Sequence, residues 1–262
     1  MHIMSGQYTI DEKNHERQYL LAKNLQPLTQ RALQHIKLPQ NIKVLDVACG
    51  MGETTRLLAK HFNGADITGA DIDGVLVQTA KTITAQSGDN INFITADATQ
   101  LPFEDNTFDV VFSRYLLMHV PSPLTILLEM KRVCKPGGIV FAQEPDINSS
   151  GSHPHSWAYD KVKEYFNALF IDGLIGRKLP AYFKQAGLHN LQYHADIAFE
   201  VHTNDLRRMY TLTAEALEGA LLAKKLSTKE EHTAWVNELR RVENDADAVH
   251  LTHPVIAVWG TK

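Results

Sequence analysis

Asp46 stands near the end of the short apolar run Ile42-Lys43-Val44-Leu45-Asp46-Val47, and Ala48, Gly50 and Gly52 follow it. In a strand that feeds a tight loop and then a helix, a carboxylate at the strand end can hold an ammonium group directly or through water. Glycines in the loop let the backbone come close to a ligand. A dinucleotide fingerprint would want a third glycine at position 55, where Thr55 stands, and it would place no carboxylate at the strand end. Two groups could move a proton at such a site. His119 follows Tyr115-Leu116-Leu117-Met118, and an imidazole ordinarily titrates near pH 6.5; a packed helix histidine and a pocket base both fit it. Glu144 follows the run Ile139 to Gln143, where it either faces a crevice or anchors the turn at Pro145.

Other chemistry-bearing residues read as structural. His153 and His155 flank Pro154, but no cysteine or carboxylate lies nearby at ligand spacing, so no metal site is expected. Cys49 and Cys134 are the only cysteines, too few for a disulfide scaffold, and Cys49 reads as a small buried hydrophobe.

The elements that position these residues alternate. Leu20, Leu21, Leu25, Leu28, Ala32, Leu33 and Ile36 predict one or two amphipathic helices before the first strand, broken or kinked near Pro27. Strands are expected over 42–47, 67–70, 91–96, 108–113 and 139–143. Helices over 54–61, 75–85 and 124–134 separate them, the last stopped by Lys135-Pro136-Gly137-Gly138. Such apolar strands between helices predict an α/β protein with a doubly wound, mostly parallel sheet, covered on both faces. Beyond Glu144 a loop, helices over 157–171 and 178–187, and strands over 191–201 and 254–259 complete a set of seven strands. Residues 202–253 predict two helices, the second opened by Thr228 and Glu231 at capping-box spacing. An excursion of this length usually has a task.

The chain has 262 residues, 44% of them hydrophobic and 21% charged, which is ordinary globular composition. Its net charge of −4 gives no global attraction to nucleic acid or anionic membranes. No run of about 18 apolar residues occurs, and a soluble, cytoplasmic protein is expected.

The run Val44 to Gly52 resembles the first motif of the class I S-adenosylmethionine-dependent methyltransferases, with Asp46, Gly50 and Gly52 matching and Ala48 replacing the first glycine. Asp71 in Thr68-Gly69-Ala70-Asp71-Ile72, Ala96-Asp97-Ala98, Leu101-Pro102-Phe103, Phe108 to Arg114, Arg132 to Gly138 and the final Val255 to Gly260 extend the resemblance in order.

The resemblance implies a Rossmann-like methyltransferase fold and S-adenosyl-L-methionine as cofactor. Asp71 would accept both ribose hydroxyls, as suits an acceptor-only group facing a vicinal diol. Asp97 and Ala98 would meet the adenine, with Ile72 against its face, and Ser113 and Arg114 would line the cofactor from the fourth strand. Tyr8 and Arg17 would fold over it, Arg17 near its carboxylate. It further implies an N-terminal helical lid over 1–40, a core over 41–201 and 253–262, and a helical cap over 202–252 that closes an enclosed acceptor cavity. Methyl transfer to an O, N, S or C atom of a small molecule is the expected function, with His119 and then Glu144 as candidate bases. Methylation of RNA or protein would rest on Arg207-Arg208, Lys224-Lys225 and Arg240-Arg241, doublets that more often mark solvated helix faces. A nicotinamide-dependent dehydrogenase is disfavoured by Thr55 and Asp46, and a non-catalytic cofactor-binding protein is the remaining alternative.

Overall fold

The structure is a computed structural model that describes residues 12–87, 91–200 and 205–262. In chain order the elements are α1 (Glu12–Leu33), β1 (Lys43–Val47), α2 (Glu53–His61), β2 (Asp66–Asp71), α3 (Gly74–Ser87), β3 (Ile91–Thr95), β4 (Phe108–Arg114), α4 (Pro123–Val133) and β5 (Cys134–Pro145). There follow β6 (Gly151–His153), α5 (Trp157–Leu169), α6 (Ile175–Gln185), β7 (His189–Asp196), β8 (Phe199–Glu200), α7 (Asp205–Ala216), α8 (Glu218–Ala223), α9 (Lys229–Glu243), β9 (Val249–Leu251) and β10 (Val255–Thr261). The chain forms two compact units. A sheet unit comprises Thr29–Glu144, Ile175–Ala195 and Ile256–Lys262; a helical unit comprises the described residues up to Leu28, with Pro145–Leu174 and Asp196–Val255.

The sheet unit is built on seven strands in the order β3-β2-β1-β4-β5-β10-β7. β3, β2, β1, β4 and β5 pair in parallel. Lys262 donates its backbone N–H to Gly138 and accepts from Gly137, so β10 ends where β5 begins and runs against it. The order reverses direction at β1 and β4, which makes the carboxyl ends of those strands the expected ligand crevice. Alternate residues of a strand face opposite sides. Val44, Ile67, Val110, Phe112, Phe141 and Trp259 pack with Ala32, Leu33 and Ile36 after the α1 midpoint and with Leu58 and Phe62 of α2. Leu45, Val47, Val111 and Val140 are buried as well. The sheet is therefore covered on both faces, as apolar parallel strands require.

The structure refines the sequence reading in several elements. Of the one or two helices expected before β1, the structure has one, α1, which continues through Pro27 with Leu20, Leu25 and Leu28 buried on both sides of the proline. The single strand expected over 191–201 divides into β7 and β8; Asp196 Oδ1 accepts the N–H of Ile197 at the break. Among the described residues, the segment expected to hold two helices, 202–253, holds three and the strand β9, with Leu217 between α7 and α8.

In the helical unit, α7 and α5 both pack on α9. The expected capping box opens α9: Thr228 accepts from the N–H of Glu231, whose carboxylate accepts from the N–H of Thr228. Trp235 of α9 is buried and donates its indole N–H to the carbonyl of Ala158 in α5 at 2.9 Å. β6, β9 and β8 form a small antiparallel sheet. No pattern in two or three residues could announce those strands.

Candidate cofactor site

β1 delivers Asp46 to the crevice and the loop after Val47 turns the chain into α2. The backbone explains the spacing of the loop's small residues: Ala48, Gly50 and Gly52 all lie in the left-handed region, at φ 62, 55 and 79°. Glycine adopts that region without strain, whereas alanine pays a steric cost. A β-carbon on Gly52 would also meet the Phe93 ring at 2.8 Å, while one on Gly50 would meet nothing within 4 Å. Gly50 therefore presents open backbone, and Phe93 supports the loop beside Gly52.

Asp71, at the end of β2, organises this loop. Its Oδ2 accepts the N–H of Gly50 at 2.8 Å and its Oδ1 the N–H of Asp73 at 2.9 Å. Burial pushes its carboxyl above the ordinary range, opposed by those backbone bonds. Ile72 next to it is 42% exposed, an apolar side chain left at the rim. Asp97 is exposed, and its Oδ1 accepts from both the N–H and the hydroxyl of Thr99, forming a turn that precedes Leu101. Ala98 is half-buried in the same turn.

Asp46 is only 1% exposed. Its Oδ2 accepts the hydroxyl of Thr55 at 2.7 Å. Burial raises its pKa to about 7, opposed by the Thr55 bond and by the positive charge of Arg114. The register sets Asp46 opposite Phe112 and Arg114 opposite Gln143, so Asp46, Arg114 and Gln143 share one face of the sheet. Thr29 of α1 donates to Gln143 Oε1 at 2.7 Å and accepts from Arg114 Nη1 at 3.3 Å. Ser113 is fully buried, and among the described residues its hydroxyl has no hydrogen-bond partner.

Glu144 is fully buried, and burial raises its pKa to about 8. Its carboxylate accepts the N–H groups of Leu116 at 2.9 Å, Leu117 at 2.7 Å and Met118 at 3.4 Å. These donors open the short 3-10 turn Leu117–His119, so Glu144 fastens the loop that carries half-buried His119. Arg17 is buried within α1 in the helical unit, and Tyr8 lies outside the described residues.

Sequence reading missed Thr55 as the partner of Asp46, although its presence in place of a glycine was the available signal. It also missed Thr29, which reaches Gln143 across the chain and has no local signature. Cys49 is buried with its thiol pKa raised, inert as expected. Among the described residues no cluster of three His, Cys, Asp or Glu could hold a metal, and His155 instead lies 3.0 Å from the Asp160 carboxylate.

A sequestered carboxylate, open glycine backbone and an exposed apolar rim suit a nucleoside with a ribose diol. A second carboxylate beside the half-buried guanidinium of Arg114 suits an amino-acid end. S-adenosylmethionine has both. A methyltransferase-domain family matches residues 45–142. Over 189 residues the chain is 31% identical to a demethylmenaquinone methyltransferase of Bacillus licheniformis, covering 63% of this chain and 78% of that protein. It is 39% identical over 115 residues to one from Staphylococcus aureus, covering 44% of this chain and about half, 47%, of the relative. The fold matches phosphoethanolamine N-methyltransferase 2 of Haemonchus contortus at a TM-score of 0.63 and 18% identity, over 98% of this chain and 59% of that one. The chain belongs to the class I S-adenosylmethionine-dependent methyltransferases. It is an enzyme of that class, and S-adenosyl-L-methionine is its cofactor. No helix of the described residues is long and apolar enough to cross a membrane.

Proposed function

We propose that the enzyme methylates a small organic molecule, with a hydroxylated or quinol-type ring as the first acceptor class. The observation that carries this reading is the likeness to a demethylmenaquinone methyltransferase along most of that relative's length. The absence of a basic run and the net charge of −4 favour it over RNA.

In this reading Asp71 holds the ribose diol, and Ile72, Asp97 and Ala98 border the adenine. Gly50 and Gly52 allow close approach, and Ser113 lines the site. Asp46 and Arg114 receive the ammonium and carboxylate of the methionine end. Acceptor recognition falls to the helical unit, including the 202–252 segment. The bound cofactor supplies a methyl group already activated by a positive sulfonium, so no leaving group needs protonation. The protein's task is then placement: holding the acceptor about 3 to 3.5 Å from that carbon in a dry site contributes several kcal/mol. His119 takes the acceptor's proton where one must leave, and Glu144 acts by fixing the loop that presents His119.

Formation of S-adenosylhomocysteine tests the reading, with reduced 1,4-dihydroxynaphthalene, bulk tRNA and a denatured protein mixture offered separately. Turnover is expected with the ring compound. Turnover confined to RNA or protein would overturn it.

A further inference from the structure

The helical unit contains a buried polar cluster that the cofactor site does not use. β9 runs between β6 and β8, with His250 opposite Ser152 on one side and Glu200 on the other. Directly opposed residues share a face. His250 and Glu200 are both buried on theirs, while the adjacent pair Phe199 and Leu251 is exposed on the other. Tyr159 of α5 stacks on the His250 ring, with centroids 4.4 Å apart and planes at 28°. Tyr210 of α7 meets the same ring edge-on at 4.8 Å, and its hydroxyl lies 3.3 Å from His253 Nδ1. Beside them Glu200 accepts from Arg207 Nε at 3.1 Å, and two further buried carboxylates, Glu243 and Asp146, act on Tyr159 and His253, so the surroundings hold more negative than positive charge.

Among the described residues, three polar atoms of this cluster have no hydrogen-bond partner: both ring nitrogens of His250 and the hydroxyl of Tyr159. His250 is fully buried, and Tyr159 nearly so. A neutral imidazole carries one donor and one acceptor. Buried polar groups are nearly always paired, and a fold that leaves three adjacent ones unmet points to a ligand that meets them. Burial lowers the His250 pKa to about 3 and pushes both tyrosines up. The cluster therefore offers uncharged donors and acceptors framed by flat rings.

We propose that Tyr159, Tyr210, His250 and His253 form the polar head of a binding site for an uncharged, flat acceptor bearing hydroxyl or carbonyl oxygen, with His250 and Tyr159 as its hydrogen-bonding residues. This rests on the reading that the enzyme methylates a small molecule, and it narrows that molecule to neutral ring compounds. A permanently anionic analogue finds no countercharge there, because Arg207 is already paired with Glu200.

The test uses the full chain and two probes of equal ring size, 1-naphthol and 1-naphthalenesulfonate, followed by fluorescence titration. The expected result is binding of 1-naphthol with the sulfonate at least tenfold weaker. Tyr159→Phe, which keeps the ring, and His250→Leu should each raise the Kd for 1-naphthol tenfold or more and leave S-adenosylmethionine affinity unchanged in calorimetry. No binding of 1-naphthol to the parent protein, or an unchanged Kd in folded Tyr159→Phe, overturns the proposal. Loss of S-adenosylhomocysteine formation with every small molecule would instead strike the methyl-transfer reading, whatever the naphthol titration gives.

Discussion

Thr55 donates its hydroxyl to Asp46 Oδ2 at 2.7 Å, inside a site where Asp46 is almost completely buried. The residue that breaks the dinucleotide glycine pattern is thus the one that holds the strand-end carboxylate. Thr55→Val keeps the shape and removes the donor. It should cost about 1 to 3 kcal/mol of stability, the range for a buried acceptor left unmet. Chemical denaturation checks this.

The same carboxylate predicts a pH dependence. Asp46 has a pKa of about 7 in the folded chain, and an unfolded aspartate releases its proton near pH 4. A raised pKa contributes stability that is full below about pH 4 and is lost as pH rises through about 7. Asp46→Asn should therefore gain on the parent protein as pH rises, by up to about 4 kcal/mol at pH 8. Thermal melts from pH 4 to 8 would show a widening gap; a constant one removes the buried titration.

Cofactor binding should depend on Asp71. Asp71→Ala deletes the acceptor for the Gly50 N–H along with the carboxylate offered to the ribose. Affinity for S-adenosylmethionine should fall tenfold or more, about 1.4 kcal/mol, by calorimetry. Unchanged affinity would take Asp71 out of the site.

The left-handed loop positions predict opposite effects of two simple exchanges. Ala48→Gly relieves the strain at φ 62° and should stabilise by up to about 1 kcal/mol, after the larger unfolded-state freedom of glycine is counted. Gly52→Ala adds a β-carbon against Phe93 as well as strain, and should destabilise more than Gly50→Ala, where the space is open. Denaturation midpoints order the three.

Glu144 and His119 should separate kinetically. Glu144→Gln turns one acceptor oxygen into a donor facing backbone N–H groups, which should lower stability by about 1 to 3 kcal/mol and reduce turnover without reshaping its pH profile. His119→Ala should reduce turnover and remove the acidic limb of the profile. Matching profiles for both variants and the parent would retire His119 as a base.

Much of the sheet unit was legible because its signals are local. Runs such as Val44 to Val47 and Phe108 to Ser113 are apolar and short, and glycines mark the turn to α2. The left-handed angles at 48, 50 and 52 give that marking a physical cause. What escaped was long-range. Thr29, Gln143 and Arg114 meet only through the fold, and nothing around Glu144 announces that its oxygens face residues 116–118. In the helical unit the strands are too short to carry a period, and whether one helix or two precede β1 depends on the burial on either side of Pro27, which no local signal carries.

The clasp between Asp71 and the Gly50 N–H has a thermodynamic consequence. It holds the glycine loop by protein groups alone, so ligand arrival need not freeze a wandering segment. Binding to a preorganised loop carries a smaller ordering penalty than binding that must fold its own receptor. Calorimetric titration should accordingly show little unfavourable entropy from residues 48–52, and amide exchange at Gly50 should already be slow before any nucleoside is added.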